Sequence, residues 1–346
     1  MTAGTPATFG RTVTRDGPAR TLRMGTRHSA LALAQSAAFA DDLSGVTGAR
    51  VDTVGITTEG DTNRAAITTM GSTGVFVQAV RAALLAGEID FAVHSYKDLP
   101  TAVPEGLVVA AVPAREDPRD ALVTFDGRPL HRLPSGARVG TGSPRRAGQL
   151  ATLHPGIVVL PLRGNVDTRL GRVRDGDLDA VVLAAAGLSR LGRLGEAAEL
   201  FATDRLVPAP AQGALAVECR ADDTELALLL GALDDRPSRA AVAAERAVLA
   251  ELEAGCSAPI GAHALHAGTP RRPVLDLCAV ITSLDGTRRT FRRTTASLDP
   301  HEAAAAGRDL ARVLRKDHAS DDARATPESA LADGTDRVRR YGGEDR

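Results

Sequence analysis

The stretch Gly87-Glu88-Ile89-Asp90-Phe91-Ala92-Val93-His94-Ser95-Tyr96-Lys97-Asp98-Leu99-Pro100 decides the fold class. Ile89 to Val93 is apolar enough to read as a strand covered on both faces, the kind found in parallel sheets flanked by helices. Such a strand emerges at the carboxyl edge of its sheet, and Pro100 keeps the polar run after it from continuing as a helix. The loop from His94 to Pro100 is thereby placed where ligands bind in open α/β sheets.

The pattern around this strand repeats. Upstream, Leu22 to Gly25 reads as a strand, Ser29 as the cap of a helix running toward Leu43, Val51 to Thr57 as a strand, and Val75 to Ala86 as an amphipathic helix stopped by Gly87. A second series begins near Asp120: strand Arg138–Gly140, helix Arg145–Leu153, strand Ile157–Leu160, helix Val166–Val173 and strand Ala180–Ala184. Met24-Gly25-Thr26 with Ser29 resembles Val139-Gly140-Thr141 with Ser143, and Gly87-Glu88-Ile89-Asp90 resembles Gly176-Asp177-Leu178-Asp179. Two related α/β domains are expected from this. From Ala240 a helix leads to a small-residue loop, Ala254 to Pro259, and then to β-rich stretches at Val274–Ile281 and Arg288–Thr294, which suggests a smaller α+β third domain.

Composition narrows the function. The 346 residues, 43% hydrophobic and 25% charged, suit two or three globular domains. No apolar run approaches the ~20 residues of a spanning helix and no secretory signal is evident, so a cytoplasmic protein without a membrane is expected. A net charge of -1 and 3% aromatic residues offer no nucleic-acid surface or stacking platform. Lys97 and Lys316 are the only lysines among 42 Lys and Arg residues, which makes a lysine inside the loop conspicuous. The three cysteines have no CxxC spacing, and phosphate-loop, dinucleotide, nucleophile-elbow and HExxH motifs are missing; no metal is expected, and His263 and His266 read as a β-surface feature.

Any anion site must therefore be local. Arg27, Arg145, Arg146, Arg163, Arg169 and Arg190 fall at or just after predicted strand ends. Three of these segments, Thr26–Ser29, Thr141–Arg146 and Arg163–Thr168, add hydroxyls and backbone N–H groups at helix N-termini. Either these arginines coat helix faces or their forked donors converge on a polyanion, and their repeated placement favours the polyanion. Asp98 is either a turn-forming residue or a group that stabilises a cation or moves a proton. Cys256 lies in a glycine- and proline-flanked loop that exposes a thiol, whereas Cys219 and Cys278 fall within apolar strands and read as packing. Thr58 to Gly74, with three glycines and no long apolar run, reads as a mobile lid carrying Arg64.

Taken in order, seven motifs between Leu22 and Ala264 resemble the hydroxymethylbilane synthase family, also called porphobilinogen deaminase. They are GTRHSALALAQS from Gly25, FAVHSYKDLPT from Phe91, GTGSPRRAGQL from Gly140, LRGNVDTRL from Leu162, DAVVLAAAGLSRLG from Asp179, PAPAQGALAVECR from Pro208 and ERAVLAELEAGCSAPIGAHA from Glu245. The resemblance implies two α/β domains like the halves of periplasmic binding proteins, with a central cleft, and a smaller α+β C-terminal domain. On that plan domain 1 is expected at 21–115 with 214–235, domain 2 at 116–213, and domain 3, carrying the cysteine loop, at 236–316. Residues 1–20 and 317–346 are expected to be disordered tails.

The resemblance further implies a dipyrromethane cofactor held by a thioether to Cys256, and stepwise condensation of four porphobilinogen molecules onto it, with loss of ammonia, by a monomer. Asp98 matches the family's catalytic aspartate, thought to stabilise pyrrole N–H groups and the azafulvene cation left after deamination. Lys97, Ser95, Thr141, Ser143, Arg145, Arg146 and Arg169 match its cofactor contacts. Arg27, Ser29, Arg163, Arg169, Arg190 and Gln212 match its contacts to substrate and the growing polypyrrole, and Gln35 matches a polar motif position. The chain departs from the family at Thr73, where many members have lysine, at Gly142 in place of a serine, and at Pro144 in place of leucine. A non-catalytic anion-binding protein on the same two-domain cleft is the rival reading, and it would have no special need for Cys256 or Asp98.

Overall fold

The computed structural model describes residues 21–56, 72–252, 258–269 and 271–325. The chain opens with β1 (Thr21–Thr26), α1 (Ala30–Thr47), β2 (Arg50–Gly55), α2 (Ser72–Leu85), β3 (Phe91–Ser95) and β4 (Leu107–Ala111). It crosses to a second lobe of β5 (Asp120–Thr124), β6 (Arg138–Thr141), α3 (Pro144–Leu153), β7 (Val158–Pro161), α4 (Val166–Arg174), β8 (Ala180–Ala184), α5 (Ala185–Arg190) and β9 (Glu199–Leu200). A return crossing leads to β10 (Leu215–Arg220) and α6 (Thr224–Leu230). The C-terminal unit follows with α7 (Arg236–Glu251), β11 (Ile260–Thr269), β12 (Arg272–Thr282), β13 (Arg289–Ala296) and α8 (Pro300–Ala325).

The two lobes have the same topology. Their strand orders are β2-β1-β3-β10-β4 and β7-β6-β8-β5-β9. In each, three parallel strands are followed by an antiparallel strand, β10 or β5, that enters straight from a crossing between lobes. The sequence repeat seen at Gly87 and Gly176 has a physical basis. Asp90 accepts from the backbone of Arg23 (2.7 Å) and its own N–H donates to the Arg23 carbonyl (2.8 Å), while the Arg23 guanidinium reaches the Gly87 carbonyl (2.8 Å). Asp179, Arg138 and Gly176 repeat all three bonds, at 2.6, 2.9 and 2.9 Å. Both aspartates leave the strand pattern to tie the start of one strand to its neighbour, so the third strand of the first lobe begins at Phe91 and not at Ile89.

Alternation along β3 builds the core on both faces. Phe91 and Val93 pack toward α1, where Phe39 meets Phe91 edge-on at 5.9 Å, and Ala92 packs toward Val80 and Leu84 of α2. Helix α1 is capped by Ser29, whose Oγ accepts from the Ala32 N–H at 3.3 Å, and ends at Gly48 in the left-handed region. In the third unit, α7 and α8 cover one face of the antiparallel sheet β11-β12-β13 through Ala244, Val248, Leu277, Leu310 and Leu314. This is the expected fold class: two α/β lobes and a smaller α+β domain. Among the described residues no helix is long and apolar enough to cross a membrane.

Two expectations need correction. The chain remains helical to Ala325, past the tail boundary expected at 317, because Asp317 pairs with Arg292 (2.6 Å) and His318 meets the Thr290 hydroxyl (2.9 Å), both on β13. His263 is buried, 4% exposed, and is no surface feature: its Nδ1 lies 3.2 Å from Glu245. The segment expected to form a lid lies outside the described residues from 58 to 71, Arg64 included, and its last three residues begin α2.

Glu245 joins the three units. Its fully buried carboxylate accepts from both guanidinium arms of Arg115 (2.6 and 3.0 Å) in the first crossing, from the Ala211 N–H (2.6 Å) in the second, and from the Ala264 N–H (2.7 Å) on β11. Burial opposes the charge, but Arg115 and His263 outweigh it and hold the carboxyl at about 2, below its usual 4.5. Glu245→Gln leaves Arg115 buried without a counter-charge and should destabilise the fold by about 3–5 kcal/mol. A carboxyl whose folded pKa is depressed stabilises fully above its unfolded value and stops contributing as pH falls through the folded one. The difference in urea midpoint between wild type and Glu245→Gln should therefore be constant above pH 4.5 and shrink toward pH 2. A difference independent of pH would refute this account.

Candidate active site

The loop after β3 closes as a single 3-10 turn, Tyr96–Asp98, and brings Asp98 to the sheet edge. The third unit braces it: Arg246 of α7 donates to the carbonyls of Tyr96 (3.2 Å), Leu99 (3.1 Å) and Pro100 (2.5 Å), and its guanidinium stacks 4.4 Å from the Tyr96 ring. Asp98 lines a cavity of about 100 Å³ with Arg27, Ser29, Gln35, Ser95 and Phe76. Gln35 and Ser95 bond each other at 2.8 Å, joining α1 to the end of β3. Arg27 lies 3.7 Å from the centre of the Phe76 ring, which holds the guanidinium at the cavity wall.

The second lobe supplies cations. Arg145 and Arg146 follow the Ser143 cap of α3, whose Oγ accepts from the Arg146 N–H at 3.4 Å, and Thr141 is buried beneath it. The sequence offers both guanidiniums to a ligand, but the structure first pairs them with a protein carboxylate. Arg145 donates to Asp120 Oδ2 (2.7 Å) and Arg146 donates twice to Asp120 Oδ1 (2.9 and 2.7 Å). Asp120 is fully buried, and the paired guanidiniums hold its carboxyl far below the usual range despite that burial. Lys97 Nζ donates to Gln212 Oε1 at 3.2 Å, and burial pulls the ammonium down to about 8.

Half-buried Arg169 is lowered by desolvation and by Arg146 and is raised by Asp98, so it sits in the field of that carboxylate from the opposite lobe. Arg190 donates to the Gly213 carbonyl at 2.7 Å in the return crossing. Arg163 is exposed just beyond β7, and Cys256 lies outside the described residues.

Sequence patterns missed four contributors. Asp120 opens a strand whose next three residues are apolar, and an acid there, two strands away from its arginines, leaves no spacing pattern that names its partners. Arg246, Phe76 and Arg115 are likewise paired only by tertiary contacts. A signal for Asp120 exists in hindsight: the run Glu116-Asp117-Pro118-Arg119-Asp120 puts an acid directly at the start of a buried strand, where it requires a cationic partner.

A cofactor bearing several carboxylates fits these residues. Arg145 Nε and Arg169 Nε are buried and have no hydrogen-bond partner among the described residues, the state expected of donors reserved for a further acceptor. Cys219 and Cys278 are both buried, and burial pushes their thiols up to about 11 and about 12, so neither supplies thiolate readily.

One carboxylate set among guanidiniums and an ammonium, at the edge of a two-lobed α/β fold, defines an enzyme that handles a polyanion. Residues 22–228 match the family described as "Porphobilinogen deaminase, dipyromethane cofactor binding domain", and residues 240–316 match "Porphobilinogen deaminase, C-terminal domain". The chain belongs to the porphobilinogen deaminase family. It is 56% identical over 299 residues to porphobilinogen deaminase 1 of Streptomyces coelicolor, covering 84% of this chain and 94% of that one. It is 51% identical over 292 residues to the porphobilinogen deaminase of Mycobacterium tuberculosis, covering 84% and 89%. Among solved structures, a periplasmic substrate-binding protein from Coxiella burnetii aligns at 13% identity and TM-score 0.40, over 61% of this chain and 91% of that chain.

The departure at Gly142 has a steric cause. A Cβ there would stand 2.5 Å from the Leu162 carbonyl oxygen, a backbone atom that cannot swing aside. Gly142→Ser should push back the β7–α4 connection, where Arg163 follows Leu162, at a cost of about 1–3 kcal/mol. We expect a lower melting temperature and a raised KM for porphobilinogen with kcat less affected. Unchanged values of both would show that the connection yields freely.

Proposed function

We propose a division of labour for the polymerisation of porphobilinogen into hydroxymethylbilane, the reaction this family of transferases performs. Asp98 is the catalytic residue, and its carboxylate stabilises the cation left on porphobilinogen as ammonia departs and accepts from pyrrole N–H groups. Lys97, Ser95, Thr141, Ser143, Arg145, Arg146 and Arg169 hold the carboxylates of a dipyrromethane cofactor. Arg27, Ser29, Arg163, Arg169, Arg190 and Gln212 hold the acetate and propionate groups of incoming substrate and growing chain. Cys256 carries the cofactor through a thioether. When bound, the cofactor supplies the pyrrole α-carbon to which the first substrate is joined.

The observation that carries this reading is the grouping itself: Asp98, Arg27 and Ser29 line one cavity, and Arg169 of the other lobe lies within the field of Asp98. A reaction that builds positive charge at carbon beside many substrate carboxylates needs one fixed anion among many fixed cations. The inert environments of Cys219 and Cys278 support Cys256 as the attachment point.

Intact mass and turnover test both halves. Asp98→Asn keeps the shape and loses the charge, so kcat should fall by roughly 10²-fold or more while the covalent dipyrrole mass persists. Cys256→Ser should lose adduct and activity together, whereas Cys219→Ser and Cys278→Ser should keep the adduct. Near wild-type turnover in Asp98→Asn, or an adduct mapped to another cysteine, would overturn the assignment.

A further inference from the structure

Asp120 occupies the first position of β5, where the first crossing enters the second lobe, and its side chain is 0% exposed. Its oxygens accept from four donors on two elements: Oδ2 from Arg145 Nη1 (2.7 Å), and Oδ1 from Arg146 Nε (2.9 Å), Arg146 Nη2 (2.7 Å) and Gln212 Nε2 (2.9 Å). Gln212 lies in the return crossing, is also fully buried, and donates as well to the Pro118 carbonyl (2.7 Å). With its amide nitrogen so committed, its oxygen is fixed toward Lys97 Nζ (3.2 Å) and Arg146 Nη2 (3.4 Å). One carboxylate thus reaches the lysine next to Asp98 through a single amide.

We infer that Asp120 is a positioning residue for polypyrrole elongation: it holds Arg145 and Arg146 in one arrangement and, through Gln212, holds Lys97 beside Asp98. The inference rests on the assignment of Lys97, Arg145 and Arg146 to the cofactor site. Three long cationic side chains would otherwise repel one another and sample many rotamers, and a shared buried acceptor removes both problems. Electrostatics agrees in sign. Burial lowers Lys97, Arg146 and Arg145 lower it further, and Asp98 and Asp120 raise it. Without the charge of Asp120 only Asp98 is left to oppose the two guanidiniums, and the lysine loses its proton at lower pH.

The chain's two lysines make this measurable, because exposed Lys316 on α8 serves as the reference. Holoenzyme is labelled with trace acetic anhydride across the neutral to alkaline range, and peptide mass spectrometry gives the Lys97 to Lys316 ratio. The wild-type Lys97 profile, measured with the cofactor's carboxylates in place, sets the baseline. Asp120→Asn should move it to lower pH and reduce kcat/KM for porphobilinogen by about tenfold or more. Asp120→Glu keeps the charge and should return the profile toward wild type. If Asp120→Asn does not yield folded protein, Gln212→Leu cuts the same link while sparing the bonds from Asp120 to both arginines, and it too should alter Lys97 labelling. An unmoved Lys97 profile with lost activity would mean that Asp120 only supports the fold, and would overturn the inference. A moved profile with unchanged kcat/KM would instead uphold the link to Lys97 and overturn the assignment of Lys97 and the two arginines to the reaction.

Discussion

The return crossing from the second lobe to the first is the constraint on which the rest of this molecule depends. Residues 201–214 must pass the first crossing at close range, and Gly213 shows how close: a Cβ there would stand 2.3 Å from the Glu116 carbonyl oxygen, on a backbone with φ of +89°. Two residues before it Ala211, the one described non-glycine residue with positive φ, is held by the bond from its N–H to Glu245. Strain of this kind costs on the order of 1–3 kcal/mol and persists only where the surroundings over-determine it. Here a buried carboxylate from the third unit does so, and the third unit thereby becomes part of the crossing region as well as a neighbour of it.

The same region connects stability to chemistry. Gln212 sits between the strained Ala211 and the tightly packed Gly213, so its side chain is aimed by backbone that Glu245 and Arg115 fix. From there it reaches Lys97, while Arg246, one residue after Glu245 on α7, grips the carbonyls of the Asp98 loop. Adjacent residues of one helix thus secure the crossing and the Asp98 turn. A change in how α7 docks would reach the site by both routes, even though α7 lines no part of the cavity.

Much of the fold was legible because periodicity and caps are local. The strands and helices of both lobes fall within a few residues of the pattern-based expectation, and Ser29, Ser143 and Gly87 act as the punctuation they appear to be in the sequence. What escaped was short or dictated from a distance. Strand β9 has two residues and pairs only with β5, and β4 is an edge strand recruited by β10 from over a hundred residues later. The end of α8 was unreadable because polar anchors, Asp317 and His318, hold it and no apolar stripe marks it. At the site, residue types at sheet edges were visible, but the partners of Arg145 and Arg146 were not: an ion pair 25 residues apart leaves no spacing signature.

The near-duplication of the lobes explains why the chemistry is one-sided. Met24 pairs with Phe91 as Val139 pairs with Ala180, so the positions after β3 and after β8 correspond, and Tyr96-Lys97-Asp98 answers to Ala185-Ala186-Gly187. In the second lobe that run continues as α5, whose small residues are buried and let Leu31 of α1 approach Gly187. In the first lobe Pro100 removes an N–H and forbids helix, so the chain turns once and stops, leaving Lys97 and Asp98 at the edge with side chains half out of the core. One equivalent position therefore became a carboxylate and the other a packing surface, while the site arginines other than Arg27 accumulated on the lobe without the carboxylate. A symmetric pair of acids facing each other would have raised each other's proton affinity and weakened both as anions; here the single acid of the first lobe faces a guanidinium of the second, Arg169.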